Sequence, residues 1–177
     1  MVNINQTKQK PVQNRTTVQQ YPLEHRKIYK KFVVSMIGWT ILLGMLMLIT
    51  GILGFTAVPW LKTIFFILIA LYITLFFVEM WYQTEYYNRY FYDITPDFLI
   101  IKKGVIMPHE TMLPYEKLQD VYMDQDLFDR IFNLWDVHVS TATVMSGHEA
   151  HIDGVSRQNG EILREMILNK IRKEKKK

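Results

Sequence analysis

The chain contains two long apolar runs separated by a short connection, and these runs indicate whether it is surrounded by water or by lipid. Neither Phe32–Val58 nor Ile64–Val78 contains an Asp, Glu, Lys or Arg residue. A bilayer core about 30 Å thick is crossed by roughly 20 apolar residues in a helix, and only helices or closed barrels satisfy all backbone polar groups inside it. Because neither run alternates apolar with polar residues as a barrel strand does, the sequence predicts a transmembrane helical hairpin, with spans at about 32–58 and 61–81.

Basic residues beside the first span predict its orientation. Four of them precede the span, whereas the connection carries only Lys62. Cytoplasmic flanks of transmembrane helices are enriched in Lys and Arg, and two crossings return the chain to its starting side. We therefore expect a multi-pass cell-membrane protein with both termini in the cytoplasm. The residues expected to contact the membrane surface are Arg26, Lys27, Lys30, Lys31, Trp81 and Tyr82.

The formal net charge of +4 conceals an uneven distribution. Between Tyr82 and Asn169 there are 7 Lys and Arg residues but 14 Asp and Glu residues. Proteins that bind nucleic acid present a basic stripe to the phosphates, so we expect no nucleic-acid partner. The basic chain ends indicate contact with a lipid bilayer, worth about 1 kcal/mol per basic residue near the surface. A solvated, frayed helix end is an equally good interpretation of the C-terminal run.

Composition divides the chain into four parts. Residues 1–20 are rich in Asn, Gln, Thr and Lys, which predicts a disordered N-terminal arm. The hairpin occupies residues 21–82, a cytoplasmic domain 83–171, and a basic tail 172–177. Several strands followed by one amphipathic helix predict an α+β domain.

Local patterns within residues 83–171 predict its elements. The turn Thr95-Pro96-Asp97 joins two strands of a hairpin. Asp126 has the position of a helix N-cap, Asn133 that of a left-handed helix end, and Ser156 that of the N-cap of the last helix. The predicted strands are Tyr90–Ile94, Phe98–Lys103, Val105-Ile106, Thr111–Pro114, Val121–Gln125, Trp135–Thr143 and His148–Val155, with a short helix at Leu127–Phe132 and an apolar face on the last helix formed by Ile162, Leu163, Met166, Ile167 and Ile171.

With these elements in order, the sequence from about Tyr21 to Ile171 resembles the small bacterial membrane proteins of the YdbS type, which carry a pleckstrin-homology-like (PH-like) domain. The family typically has Gly where Asn133 stands, and Asn is the next residue to tolerate a positive φ. The resemblance implies a curved β-sandwich or partly open barrel capped by the C-terminal helix. The elements that carry it are Arg89-Tyr90, Ile94-Thr95, Lys103–Ile106, Leu113–Tyr115, Leu118–Val121, Asp124-Gln125, Asp129–Leu134, Val137–Ala142 and Ala150–Gly154.

Residues of two kinds stand out as structural. Those of the family motif are Gly104, Pro114, Gln119, Asp120, Gln125, Arg130, Asn133 and Gly154, with Arg130 expected to anchor the short helix. Small residues allow close helix contact, so Gly44, Gly51 and Gly54 are expected to pack the first span against the second or against another subunit.

Catalytic, cofactor-binding and metal-binding residues are not predicted, and we expect no enzyme. Neither a nucleophile elbow nor a phosphate-binding glycine loop occurs. Strand alternation brings His138 and His151 near each other, with Asp153 close by, but His148 and His151 lack the i, i+4 spacing of a zinc helix. Exposed imidazoles on strands are mostly solvated.

Three functions are compatible with this pattern. The first is a non-enzymatic membrane protein whose PH-like domain assembles, as a hetero- or homo-oligomer, with related multi-PH membrane proteins in an envelope-associated role. The partner follows from the resemblance, and an exposed sheet edge or the groove beside the last helix would accept a partner strand. The second is a lipid-sensing module held by the basic ends. The third, a transport or enzyme accessory subunit, is disfavoured because the spans lack a central charge.

Overall fold

The computed structural model describes residues 15–141 and 150–175 of the chain. Most of the predicted disordered arm, residues 1–14, lies outside this part, as does His148. In chain order the elements are α1 (Thr17–Gln20), α2 (Arg26–Thr56), α3 (Leu61–Arg89), β1 (Phe91–Ile94), β2 (Phe98–Lys103), β3 (His109–Pro114), a 3-10 turn (Tyr115–Lys117), β4 (Leu118–Asp124), α4 (Leu127–Phe132), β5 (Trp135–Thr141), β6 (His151–Val155) and α5 (Arg157–Glu174).

The long helices α2 and α3 form an antiparallel pair. Phe55 meets Phe65 edge to face near the connection, and farther along Thr40 and Tyr72 share a hydrogen bond of 2.8 Å. No residue of α3, which is described over its whole length, is buried. Both helices are long and apolar enough to cross a membrane, as predicted. The second helix continues beyond the predicted end of its span at Trp81 as far as Arg89, directly before the predicted strand that begins at Tyr90.

Two of the three glycines expected to pack the first span do so within the hairpin. A Cβ built at Gly54 would lie 2.8 Å from the backbone nitrogen of Lys62, and one at Gly51 would lie 3.3 Å from the Phe65 ring. Both glycines therefore let α2 approach α3. A Cβ at Gly44 would meet no atom within 4 Å, so contact of Gly44 with another subunit stays a prediction.

The C-terminal domain contains two three-stranded antiparallel sheets, ordered β1-β2-β3 and β4-β5-β6. Because β1 begins directly after α3, the pairs Phe91–Lys102 and Lys103–His109 lie at the end of the first sheet that adjoins the hairpin. Helix α5 packs on the second sheet and closes the core, which confirms the predicted α+β class. Buried core residues include Tyr92, Leu99, Ile101, Leu118, Val137, Ile152, Leu163 and Ile167.

Capping residues and strand patterns correctly predicted several of the short elements. Strand β2 and helix α4 have the predicted bounds. The side chain of Asp126 accepts a hydrogen bond from Asp129 N at 2.7 Å, Asn133 has φ 54°, and Ser156 Oγ accepts from Asn159 N at 3.2 Å. The predicted strand at Val105-Ile106 is wrong, because the chain turns there before β3.

The end of the predicted disordered arm is ordered instead. Thr17 donates two hydrogen bonds to Asp93 Oδ1, from its backbone nitrogen at 2.8 Å and from Oγ1 at 2.7 Å. The hydroxyl of Tyr92 donates to the carbonyl of Tyr21. These contacts hold the segment along the outer edge of β1, and a composition rule does not detect them because the acceptors are distant in sequence.

Candidate functional site

Two lysines in the first turns of α2 point into the domain. Lys27 is 2% exposed and Lys30 is 7% exposed. The prediction that both contact lipid headgroups is therefore wrong. The physical reason is that each ammonium group finds a carboxylate of the domain within reach, so the helix that enters the hairpin is also part of the domain's packing.

The other predicted surface residues remain available to a membrane. Arg26 is exposed and Lys31 is half-buried. On α3, Trp81 is 63% exposed and Tyr82 is half-buried. Their contact with lipid stays a prediction.

The Lys27 ammonium group lies against Asp153 and an aromatic ring. Its Nζ donates to the Asp153 carbonyl at 3.1 Å, lies 3.6 Å from Asp153 Oδ2, and sits 3.5 Å from the centre of the Tyr90 ring. Burial lowers the pKa of Lys27 from its ordinary value of 10.5 to about 8, although the Asp153 carboxylate opposes this shift. A buried charge of this kind is retained because it is paired.

Asp153 collects three nitrogen-bearing groups. Its Oδ1 lies 2.7 Å from His151 Nε2 and 3.7 Å from Lys103 Nζ, besides the contact with Lys27. Burial alone would raise the pKa of the Asp153 carboxyl, but the positive charge of Lys27, the neighbouring His151 and the charge of Lys103 hold that pKa well below its ordinary range. The carboxylate therefore stays ionised at neutral pH.

A second ion pair fastens α4 to α2. Lys30 Nζ lies 2.5 Å from Asp129 Oδ1 and 2.9 Å from Asp126 Oδ2. Burial lowers the pKa of Lys30, but the hydrogen bonds to both carboxylates outweigh burial and raise the pKa above its ordinary value. Since Asp126 and Asp129 also cap α4, the same two carboxylates start this helix and attach it to the hairpin.

Gly154 lets the two parts of the chain approach closely. Its φ is 72°, its carbonyl accepts a hydrogen bond from Glu24 N at 2.8 Å, and its nitrogen donates to Asp136 Oδ1 at 2.7 Å. Burial and the nearby Asp153 carboxylate raise the pKa of Asp136.

We call the set Lys27, Lys30, Asp129 and Asp153 the junction cluster. The junction cluster attaches the domain to the hairpin. Removing one partner of a buried ion pair typically costs about 3–5 kcal/mol, because a charge is left unpaired. The loss of any one of these four charges would therefore weaken the attachment. Sequence reasoning missed Asp129 and Asp153; the available signal was the i, i+3 spacing of Lys27 and Lys30 on one helical face, together with the acidic excess of the domain.

The family-motif residues are mostly architectural. Gly104 has φ 107° in the β2–β3 turn, and an added Cβ would collide with the Met107 carbonyl. Gln125 Nε2 donates to the Leu134 carbonyl at 2.7 Å. Pro114 ends β3.

The remaining motif residues lie on β4 and α4. Gln119 lies at a register irregularity in β4, and the next residue, Asp120, accepts a hydrogen bond from Val121 N at 2.8 Å. The Arg130 side chain is exposed and makes no hydrogen bond or ion pair with any other residue of the described ranges. The anchoring role predicted for Arg130 therefore belongs to its neighbour Asp129.

Aromatic and imidazole rings form a ladder on the outer face of the second sheet. Tyr122 stacks on His138 at 5.1 Å, and His138 stacks on His151 at 5.2 Å. His138 Nε2 lies 3.0 Å from Asp124 Oδ1. Within residues 15–141 and 150–175, no three His, Cys, Asp or Glu side chains are grouped so that they could hold a metal ion.

A groove of about 440 Å³ separates β4 from α5. Met123 on β4 contributes to one wall, and Arg157 and Arg164 on α5 contribute to the other. The Arg157 guanidinium lies 5.6 Å from the ring of Trp135, which also lines the groove. Since β4 is the outer strand of its sheet, the groove runs beside an open strand edge.

Comparison with known proteins places this architecture. A sequence model described as bacterial PH domain matches residues 32–171, which include most of the hairpin and the domain as far as the last buried turn of α5. No curated protein matches the chain significantly, and neither does any solved structure. The match covers well over half of the chain, and it agrees with the two sheets and the closing helix. The chain belongs to the bacterial PH domain family.

Proposed function

We propose that this protein is a non-enzymatic, membrane-anchored assembly module. Its hairpin holds the PH domain at the cytoplasmic face of the cell membrane, and the domain binds an extended segment of a partner protein along β4. A related membrane protein with several PH-like domains is the proposed partner, in an envelope-associated assembly.

The carrying observation is which sheet edges are open. The outer edge of β1 is covered by the N-terminal segment through Thr17. The outer edge of β6 is covered by Tyr90, whose hydroxyl donates to the His151 carbonyl at 3.0 Å and accepts from Asp153 N at 3.3 Å. Among the described residues, no comparable contact covers the outer edges of β3 and β4. Cavities adjoin both strands, and the one at β4, about 440 Å³, is larger than the one of about 250 Å³ lined by His109 and Thr111 on β3.

The groove suits strand addition. A strand added to a sheet edge gains affinity from main-chain hydrogen bonds and specificity from pockets for alternate side chains. Met123 and Trp135 offer apolar surface here, while Arg157 and Arg164 lie near Glu161. This mixture of charges suits a partner segment that alternates apolar and polar residues.

Contacts at the junction support the proposed topology. Lys27 precedes the first helix's apolar run, yet it touches Asp153 near the other end of the chain. Such a contact requires the N-terminal flank and the domain to share one side of the membrane, as two crossings do. With the basic flank of the first span, this favours both termini in the cytoplasm. A reporter fused after Lys177 should be active only if it is a cytoplasmic reporter.

Site-specific photo-crosslinking in cells tests the assembly role. A photoreactive phenylalanine analogue at Tyr122 or Arg164 should capture the same protein, and mass spectrometry should identify it as one with bacterial PH domains. The matched control is Asp97, which is exposed on the distant β1–β2 turn. If Asp97 captures the same protein as the two groove positions, or the groove positions capture none, binding along β4 is refuted.

Lipid sensing by the basic tail receives less support. Helix α5 runs away from the hairpin: Glu174 lines a cleft with Asp97 and Phe98, at the end of the first sheet opposite Phe91. The tail therefore starts on the far side of the domain. In vesicles that contain the full chain, neutralising Arg172, Lys173 and Lys175 should leave the accessibility of a label at Asp97, beside Glu174, to a water-soluble reagent unchanged. A rise in that accessibility would mean that the tail holds this end of the domain near lipid, and it would favour the lipid-sensing alternative.

A further inference from the structure

We infer that the end of the PH domain beside the hairpin rests on the bilayer through an apolar rim. The rim comprises Leu127 and Ile131 on α4 and Ile106 and Met107 in the β2–β3 loop. This inference rests on the proposed crossing of the membrane by the hairpin, and it adds a second, non-spanning membrane contact that fixes the orientation of the domain.

All four rim side chains are unusually exposed for large apolar residues. The exposed fractions are 76% for Leu127, 73% for Ile131, 79% for Ile106 and 85% for Met107. Grouped exposed apolar side chains commonly mark an interaction site. Leu127 and Ile131 are four residues apart, so they share one face of α4, and that face is opposite the buried Asp129.

Helix α4 is the part of the second sheet's layer nearest the first span. Glu24, two residues before α2, bonds to Gly154 on β6, and Lys30, on α2 and farther towards the span, bonds to Asp129 on α4. Phe32, where the uncharged run begins, is only two residues beyond Lys30. The face of α4 that points away from Asp129 is therefore exposed at the boundary where the hairpin enters the membrane.

The β2–β3 loop occupies the equivalent position beside α3. It joins Lys103 to His109, a pair at the end of the first sheet that adjoins the hairpin. Arg89, the last residue of α3, donates from Nη1 to the Val105 carbonyl at 3.4 Å. The two rim segments thus flank different helices of the hairpin, and the surface that meets both is the bilayer that the hairpin enters.

The charges near the rim suit a lipid surface. Arg130 is exposed between Leu127 and Ile131 on α4, and a basic residue at this level favours anionic headgroups. Beside the loop, Lys102 and Glu110 pair with each other at 2.9 Å. Short amphipathic elements of this kind bury their apolar side chains about 5–10 Å into the headgroup region.

Spin labels on the full-length protein test this inference. Because the sequence contains no cysteine, a single introduced cysteine is the only site that the label modifies. Leu127→Cys, Ile131→Cys and Ile106→Cys report on the rim. Asp97→Cys is the water-exposed control, and Ile67→Cys, at a 60% exposed site on α3, is the lipid-exposed control. Each labelled protein is reconstituted in vesicles of zwitterionic and anionic phospholipid, and collision with oxygen is compared with collision with a water-soluble nickel complex.

The expected result is a ratio of oxygen to nickel accessibility at the three rim sites several-fold above that at Asp97→Cys. If the rim labels match Asp97→Cys while Ile67→Cys reports lipid, the rim lies in water and the inference is overturned, while the spanning hairpin stands. If Ile67→Cys also reports water, the crossing and the rim fall together. Because every labelled position is exposed, misfolding does not obscure these outcomes.

Discussion

The α-carbon of Gly154 packs against the aliphatic chain of Lys27, so that a Cβ added to Gly154 would lie 2.8 Å from Lys27 Cδ. The glycine lies on β6 and the lysine in the first turns of α2, so a strand near the end of the chain contacts a helix near its beginning. This contact has no spare room, and the attachment of the domain to the hairpin depends on it.

Replacing Gly154 by alanine should therefore destabilise the protein. A left-handed backbone costs a residue with a Cβ about 1–2 kcal/mol, and the collision with Lys27 adds to this. Chemical denaturation of the full chain in mild detergent, followed by tryptophan fluorescence, should show the loss. Gly44→Ala, in open space on α2, is the control without a loss; equal stability of Gly154→Ala and wild type would contradict the close contact.

Neutralising either side of the buried pair should cost more. Lys27→Met leaves Asp153 with fewer cations, and Asp153→Asn leaves the Lys27 charge buried without its carboxylate; we expect each to lose about 3–5 kcal/mol of unfolding free energy. The double variant should lose clearly less than the sum of the two. Additive losses in the same denaturation assay would mean that the two groups do not interact.

Stability should rise with pH in the mildly alkaline range. Because the pKa of Lys27 falls from 10.5 to about 8 on folding, the unfolded chain holds a proton between these values that the folded protein has released. Raising the pH then stabilises the folded state, by on the order of 3 kcal/mol for a shift of this size. The lowered pKa of Lys103 acts in the same direction.

Above about pH 10 the trend should reverse. Burial raises the pKa of Tyr86 to about 12 and that of Tyr90 well above its ordinary value, so the unfolded chain then loses protons that the folded protein keeps. Denaturation curves at intervals from pH 7 to pH 10 should show the rise in wild type. Lys27→Met should show a shallower rise, and identical slopes would exclude Lys27 as the source.

Close packing of the hairpin makes Gly54 sensitive to substitution. A Cβ there would approach the backbone nitrogen of Lys62 to 2.8 Å, and backbone yields less readily than a flexible side chain. Gly54→Ala should therefore cost about 1–3 kcal/mol, as overpacking does elsewhere. Thermal unfolding in detergent should separate Gly54→Ala from Gly44→Ala, which has no neighbour to displace; a shared midpoint would contradict the packing.

Signals that act over a few residues made much of the domain predictable. Asp126 and Asn133 bracket α4, and each was identified from its own residue type and position. The uncharged runs likewise predicted both long helices. The second helix extends beyond its predicted span, and Tyr86 and Tyr87 belong to its last turns. Its end was not predicted because a tyrosine-rich segment is compatible with a strand as well as with a helix.

Contacts between distant residues were not predictable in the same way. Lys27 and Lys30 look like any basic flank of a transmembrane helix, and the rule that orients spans uses the same residues. Their carboxylate partners, Asp153 and Asp129, lie 126 and 99 residues farther along the chain. A rule that reads short windows therefore assigned both lysines to lipid.

Helix α2 is continuous from Arg26 to Thr56, so the stretch clamped by Asp153 and Asp129 and the stretch expected in the membrane form one uninterrupted rod. Neither glycine nor proline occurs between Lys30 and Phe32, so the helix has no residue there that favours a bend. A change in the tilt of the membrane-embedded part of α2, as when the bilayer thickness changes, must consequently rotate the PH domain by the same angle. The β4 edge then changes its orientation relative to neighbouring proteins.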